Sequence, residues 1–283
     1  MHISKKLAGA AVLSLTLTMS AQAQDADRAK ALFETGTQLL SESDLLESKE
    51  LRRNLRIRAA ESFFQASEIS SGEMAQDSLL KSAAAYRVVG DEESMSKSLA
   101  GVLLIAQRFP KSKSTPKALV LRGDLFADAK EWGRAIKAWN RVSEEYADSD
   151  AAPDALYKAG QVFAARIRNL DEARKAYTTV LAKYAKSEVA DDALFARAVI
   201  QEGEKDLKAA VTDYLDLVQR YPDSTLADTA MYNAIMIREK KLKELREAHD
   251  LAVEFRKQFP HSKNLKSVEE VEQRTLKYVT ESK

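Results

Sequence analysis

Apolar and polar residues follow each other along this chain in blocks whose spacing recurs. One phrase runs apolar residue, alanine three later, an apolar or aromatic residue four after that, and a helix stop eight further on. It occurs at Leu207-Ala210-Tyr214-Pro222, Leu245-Ala248-Ala252-Pro260, Trp132-Ala135-Trp139-Ala147 and Leu170-Ala173-Tyr177-Ala185. Looser copies are Ile57-Ala60-Phe64-Gly72 and Met95-Ser98-Val102-Pro110. The stops fall at positions 72, 110, 147, 185, 222 and 260, a period that stays constant to within one position. Spacings of three and four set these residues on one face of an α-helix, so each phrase predicts one amphipathic helix and its end.

A second phrase fills the other half of each period: "ALFETG" (Ala31 to Gly36), "ALVLRG" (Ala118 to Gly123), "ALYKAG" (Ala155 to Gly160), "ALFARA" (Ala193 to Ala198) and "AMYNAI" (Ala230 to Ile235). Positions 85, 123, 160, 198 and 235, small in all but the last, each follow a stop at one fixed interval, from 72 to 85 and from 110 to 123 onward. The step from there to the next helix-B alanine or serine is twelve or thirteen, which is where the period wobbles. Each period therefore predicts two antiparallel helices, A and B. A missing side chain on A and an alanine on B let the two approach closely. Trp139, Tyr177 and Tyr214 are expected to fill the wedge between neighbouring pairs. A Phe/Tyr-Pro/Ala step ends helix B, because proline has no N–H and restrains the residue before it. The serine three after each aromatic (Ser112, Ser149, Ser187, Ser224, Ser262) suits an N-cap for the next helix, and Pro116 and Pro153 suit its first turn. Such pairs cannot bury their apolar faces singly, so they must stack.

The spacing small–x11–Ala–x3–aromatic–x7–Pro resembles the tetratricopeptide (TPR) repeat with three or four extra residues in the joint, most clearly from Phe109 to Pro260. "YPDS" (Tyr221 to Ser224), together with A-x-Y-x-x-G as in Ala155 to Gly160, resembles the bacterial cell-envelope branch of that family. That branch includes modules of the outer-membrane β-barrel assembly lipoproteins (BamD type) and of the Tol-Pal-associated cell-division coordinator (CpoB/YbgF type). The resemblance implies an all-α, right-handed superhelical solenoid of about six TPR-like helix-turn-helix repeats with a C-terminal capping helix. The expected organisation is a segment 1–23, a divergent first pair 24–72, five repeats over 73–260 and the cap 261–283. The first pair carries an insertion, since Gly36 and Ala60 stand twice as far apart in sequence as Gly123 and Ala135. Barrel-assembly members hold a lipid anchor on a cysteine that this chain lacks, and no sustained heptad of the division type stands out in residues 25–108.

Segment 1–23 reads as a secretory signal: Lys5 and Lys6, an apolar run from Leu7 to Thr18, then Ala21-Gln22-Ala23 as a small-x-small cleavage site. The run is shorter than the about 20 residues that span a bilayer. With no cysteine there is neither a disulfide nor a lipid anchor, so the expected place is the periplasm, in solution. Nine glycines, five prolines and 31% charged residues favour long amphipathic helices. The net charge of +1 gives no pull toward nucleic acid. "LAGVLLIA" (Leu99 to Ala106) reads as a buried helix face, not a membrane span.

Enzyme chemistry finds little support, and no cofactor or metal is expected. His249 and His261 have no metal-ligand spacing and read as solvated, and there is no phosphate loop or nucleophile elbow. "RRNLRIR" (Arg52 to Arg58) either meets an anionic wall polymer or lipopolysaccharide, or is a solvent face balanced by Glu42, Asp44, Glu47 and Glu50.

The TPR resemblance implies a concave groove, lined by helix-A residues, for an extended or helical peptide. Around Gly160 one helical face holds Asp154, Tyr157 and Gln161. Its equivalents are Val120 and Asp124; Asp192, Phe195 and Val199; and Tyr232 and Met236. Tyr157, Phe195 and Tyr232 form a stripe continued by Phe33, serving either to pack between helices or to touch ligand. Counted with Asp128, Glu202 and Glu239 against Lys117 and Lys240, the face carries −4. The expected partner is a basic, partly apolar segment of a cell-envelope protein, held by a non-enzymatic scaffold in outer-membrane assembly or envelope and division coordination. The alternatives are a permanent structural subunit of an outer-membrane or secretion machine, and an accessory module of a wall-processing enzyme.

Overall fold

The computed structural model describes residues 3–280, with side chains from Gln22 to Val279. All regular structure among the described residues is helical, as the periodicity demands. The chain divides into two compact units in sequence, the first ending at Ala151 and the second starting at Ala152. The first contains α1 (Ile3–Asp44), α2 (Lys49–Ile69), α3 (Gly72–Val89), α4 (Glu92–Arg108), α5 (Ser114–Asp128) and α6 (Trp132–Glu145). The second contains α7 (Ala152–Val162), α8 (Leu170–Lys183), α9 (Ala190–Gly203), α10 (Leu207–Arg220), α11 (Ala227–Met236), α12 (Leu245–Gln258), α13 (Leu265–Thr275) and α14 (Lys277–Thr280). Within each unit consecutive helices pack as A/B pairs, and α13 closes against α12. The basic and apolar parts of the expected signal segment lie outside the residues whose side chains are described. The backbone of α1 runs unbroken through the Ala23–Gln24 step. Among the described residues no helix is long and apolar enough to cross a membrane.

The register read from the sequence holds. Ala60, Ser98, Ala135, Ala173, Ala210 and Ala248, the small helix-B positions, are all fully buried. Helix B ends as expected at an aromatic C-cap: Phe109, Tyr146, Tyr184, Tyr221 and Phe259 terminate α4, α6, α8, α10 and α12. Two expectations need correction. The helix-B rings fill the space inside their own pair rather than the wedge to the next. A Cβ on Gly123 would lie 2.3 Å from the Trp139 indole nitrogen, and one on Gly160 2.6 Å from Cε1 of Tyr177. In the first pair the buried ring is Phe63, against Gly36 and four residues after the fully buried Ala59, while Phe64 is 37% exposed, so the phrase there lies one position late.

The joint serines are not N-caps. The caps of α5, α9, α11 and α13 are Lys113, Val189, Leu226 and Asn264, one or two residues later. Ser224 and Ser262 instead accept the N–H of Leu226 and Asn264 and donate to carboxylates one repeat back, Asp191 and Asp228, both at 2.6 Å. The Tyr221 hydroxyl likewise donates to the Ala185 carbonyl at 2.8 Å. In these two joints the serine hydroxyl closes the turn and ties adjacent repeats together, whereas the Ser149 and Ser187 hydroxyls are buried without a hydrogen-bond partner.

The insertion in the first pair lengthens both helices toward their shared turn. α1 continues eight residues past Gly36, and α2 starts eleven before Ala60. The arginine cluster secures this extension. Arg56 pairs with Asp44 at 2.9 Å, Arg52 donates to the Leu46 carbonyl at 2.6 Å, and Arg53 reaches Asp91, the N-cap of α4, at 2.7 Å. At the other end His249 is buried, not solvated: its Nδ1 lies 3.1 Å from the Glu272 carbonyl oxygen and 3.2 Å from Thr275 Oγ1 on α13. Val268 and Val271 complete that cap.

Candidate interaction faces

In the second unit, helix-A residues bring Asp154, Tyr157 and Gln161 together on α7, Asp192, Phe195 and Val199 on α9, and Tyr232 and Met236 on α11. Tyr157 and Phe195 are half-buried and lie on the rings of their own helix B, at 5.7 Å from Tyr177 and 5.4 Å from Tyr214. Such edge and tilted contacts hold each stripe residue in place while leaving part of it open. Tyr232 and Met236 are also half-buried, against the core that runs through α9 to α13. Val199 is different: 47% exposed, a branched apolar side chain presented to water. Gln161 is exposed as well. In the first unit the equivalent residues are shut in. Val120 is 7% and Asp124 8% exposed, so neither offers surface to a ligand in this conformation.

The acidic character expected of these positions is largely cancelled inside the chain. Arg87 meets Asp124 at 3.3 Å and Asp128 at 2.7 Å, and Lys158 meets Asp154 at 3.1 Å. Lys241 meets Glu202 at 2.8 Å, and Arg274 meets the buried Glu239 at 3.0 Å. The count of −4 missed these cations because all but Lys158 come from another repeat. Lys158, on the i,i+4 spacing to Asp154, was visible in sequence. Asp192 is the one acid of the six with no cation partner among the described residues. Burial, and then the neighbouring Asp191 charge, push its pKa above the ordinary carboxylate value. Tyr157 faces the same pair of acids, and its hydroxyl pKa is raised by burial first and by Asp192 second.

The fold and these faces define an all-α protein of TPR-like helix pairs. A family model described as tetratricopeptide repeat matches residues 154–187 and 192–224, the pairs α7/α8 and α9/α10. No curated protein matches the sequence. Among solved structures, that of PilF from Pseudomonas aeruginosa aligns with a TM-score of 0.55 at 13% identity, covering 87% of this chain and 98% of that one. The apo form of RapI aligns with a TM-score of 0.53 at 13% identity, covering 88% and 96%. At such identities the likeness is one of fold.

Proposed function

We propose that this chain is a non-enzymatic periplasmic scaffold or adaptor that holds a partner protein of the cell envelope. The fields it would serve are outer-membrane assembly or envelope and division coordination. The TPR architecture supports a protein-interaction role, and the signal-like residues 1–23 support the compartment. The observation that carries the reading is the α9 face, where exposed Val199 stands one and two turns beyond half-buried Phe195 and unpaired Asp192. An apolar anchor on Val199 and Phe195 with a lysine or arginine opposite Asp192 would relieve both the exposed surface and the uncompensated charge. A basic, partly apolar segment fits that chemistry.

A photo-crosslinking residue at position 199, compared with one at exposed Lys208 on α10, tests this in the natively expressed protein. Crosslinks from 199 to one discrete envelope protein, abolished by Asp192→Lys, are expected. Equal yields from both positions would overturn the reading. A stoichiometric complex held through position 208 would favour the structural-subunit alternative. The mature chain should begin at Gln24 by mass spectrometry, and retention of Met1 would remove the periplasmic assignment.

A further inference from the structure

The repeats provide an internal comparison at one position. The residue just before the small site of helix A is arginine in two repeats, Arg122 on α5 and Arg197 on α9. Arg197 is completed by Asp213 on α10, with Nε to Oδ2 at 2.7 Å and Nη2 to Oδ1 at 2.8 Å. This two-pronged pairing is the strongest geometry a guanidinium and a carboxylate can adopt. The residue equivalent to Asp213 on α6 is Ala138. In the repeat between, Ala159 and Ala176 occupy the two positions, so both charges are absent together. Only around Arg122 does the arginine remain without its carboxylate, and its Nε is buried with no hydrogen-bond partner.

Where the carboxylate would be, the surface is hollow. Leu119, Arg122 and Phe126 of α5 and Arg134, Lys137 and Arg141 of α6 line a pocket of about 300 Å³. Arg134 stacks 4.0 Å from the Phe126 ring centroid and Arg122 5.5 Å from it, which holds both guanidinium planes while leaving their edges to donate. Arg134 pairs with Glu131, the N-cap of α6, and Arg141 with Glu145 on the same helix. Arg122 and Lys137 have no acid partner among the described residues.

We infer that the α5/α6 pocket of the first unit is a second docking site, which takes an aspartate or glutamate side chain from an acidic segment of a partner protein. The ligand carboxylate occupies the place that Asp213 fills against Arg197, and Lys137 at the open rim steers it in. The site is opposite in charge preference to the Asp192–Val199 face and independent of it.

The test uses the full mature chain and short capped fluorescent peptides centred on Glu-Leu-Asp, on Gln-Leu-Asn and on Lys-Leu-Lys, read by anisotropy. The Glu-Leu-Asp peptide should bind, and the other two should not. Arg122→Met, which keeps the packed stem, and Lys137→Glu, at an exposed position, should each weaken binding roughly tenfold or more. Ala138→Asp supplies from within what the ligand brings: it should abolish binding and raise the melting temperature. Val199→Asp should leave this binding unchanged even where it destroys the other. Equal binding of the Gln-Leu-Asn peptide, displacement by inorganic phosphate as effective as by peptide, or undiminished binding by Ala138→Asp would each overturn the proposal. So would a fall in the melting temperature of Ala138→Asp, because the equivalence with Asp213 would then be wrong.

Discussion

At Gly160 a single methyl group decides how closely two helices approach, because its Cβ would lie 2.6 Å from the Tyr177 ring. Around Gly203 there is nothing within 4 Å. Gly160→Ala is therefore expected to lose about 1–3 kcal/mol as the ring is forced off its seat. Gly203→Ala, in an unobstructed helical position, should gain about 0.5–1 kcal/mol. Paired denaturant melts distinguish the two, and equal effects would mean that the rings do not rest on the glycines. Asp192 makes a second residue-scale prediction. Its folded pKa is raised by burial and Asp191, so the ionised native state is penalised at neutral pH. That penalty is present above the raised value and fades as pH falls through it and the native state takes up the proton. Asp192→Asn should then melt higher than the parent at neutral pH, with the gap narrowing toward acid; a gap independent of pH would refute this. The small sites and their buried alanines were legible in sequence because spacing alone defines them. The burial of His249 was not, because the helix that covers it begins sixteen residues later and shares no phrase with the repeats.

At the scale of the element, the wobble of one residue in the period has a visible mechanical cause. Where the small site and the helix-B alanine are twelve apart, as in Gly123–Ala135 and Ala198–Ala210, helix A ends in a compact left-handed turn. Lys130 (φ 60°) and Lys205 (φ 67°) adopt the left-handed conformation, and the N–H groups of Glu131 and Asp206 return to the carbonyls of Phe126 and Gln201. In two of the three repeats where they are thirteen apart, Gly160–Ala173 and Ile235–Ala248, the extra residue is absorbed as π-helix at Phe163–Ile167 and Ile237–Leu242, whereas between Ala85 and Ser98 α3 stays α-helical and turns at Gly90 (φ 78°). The returning N–H groups of Asn169 and Glu244 then reach one residue further back, to Phe163 and Arg238. Deleting Ala165 should convert the α7/α8 turn to the shorter form and change stability by less than about 1 kcal/mol. Deleting Ala127 from α5, already at the short spacing, should cost about 2 kcal/mol or more, since it turns the following side chains off register by about 100°. Similar losses from both deletions would show that the π segments are not spare length. The sequence displayed the twelve-or-thirteen alternation. It did not display the turn type, because in both forms a long cationic residue, Lys130, Arg168, Lys205 or Lys243, stands at the left-handed position where glycine would have announced it.

Over the whole molecule, side-chain bonds between repeats in the second unit run to the neighbouring repeat. Tyr221 to Ala185, Ser224 to Asp191, Ser262 to Asp228, Lys241 to Glu202 and Arg274 to Glu239 all span between 33 and 39 residues, close to one period. A period of that kind was readable from the stops, but the partners were not. Which carboxylate meets which cation depends on how each joint turns, and the acidic face counted from sequence was neutralised by cations counted elsewhere. Bonds confined to neighbours imply that stability is shared in the same way, as a chain of interfaces rather than one common core. Ala210 is the place to test this: it is fully buried on α10, in the middle of the core cluster that runs from Leu181 on α8 to Val271 on α13. Ala210→Trp should cost about 1–3 kcal/mol or more, because the neighbouring helices leave no room for an indole. Native-state hydrogen exchange should show protection lost first in α9 to α12, with α7, α8 and α13 following only at higher denaturant. Loss at one common denaturant concentration throughout the second unit would mean that its repeats are locked into a single cooperative body, and a normal melt of the variant would mean that the register itself is misplaced.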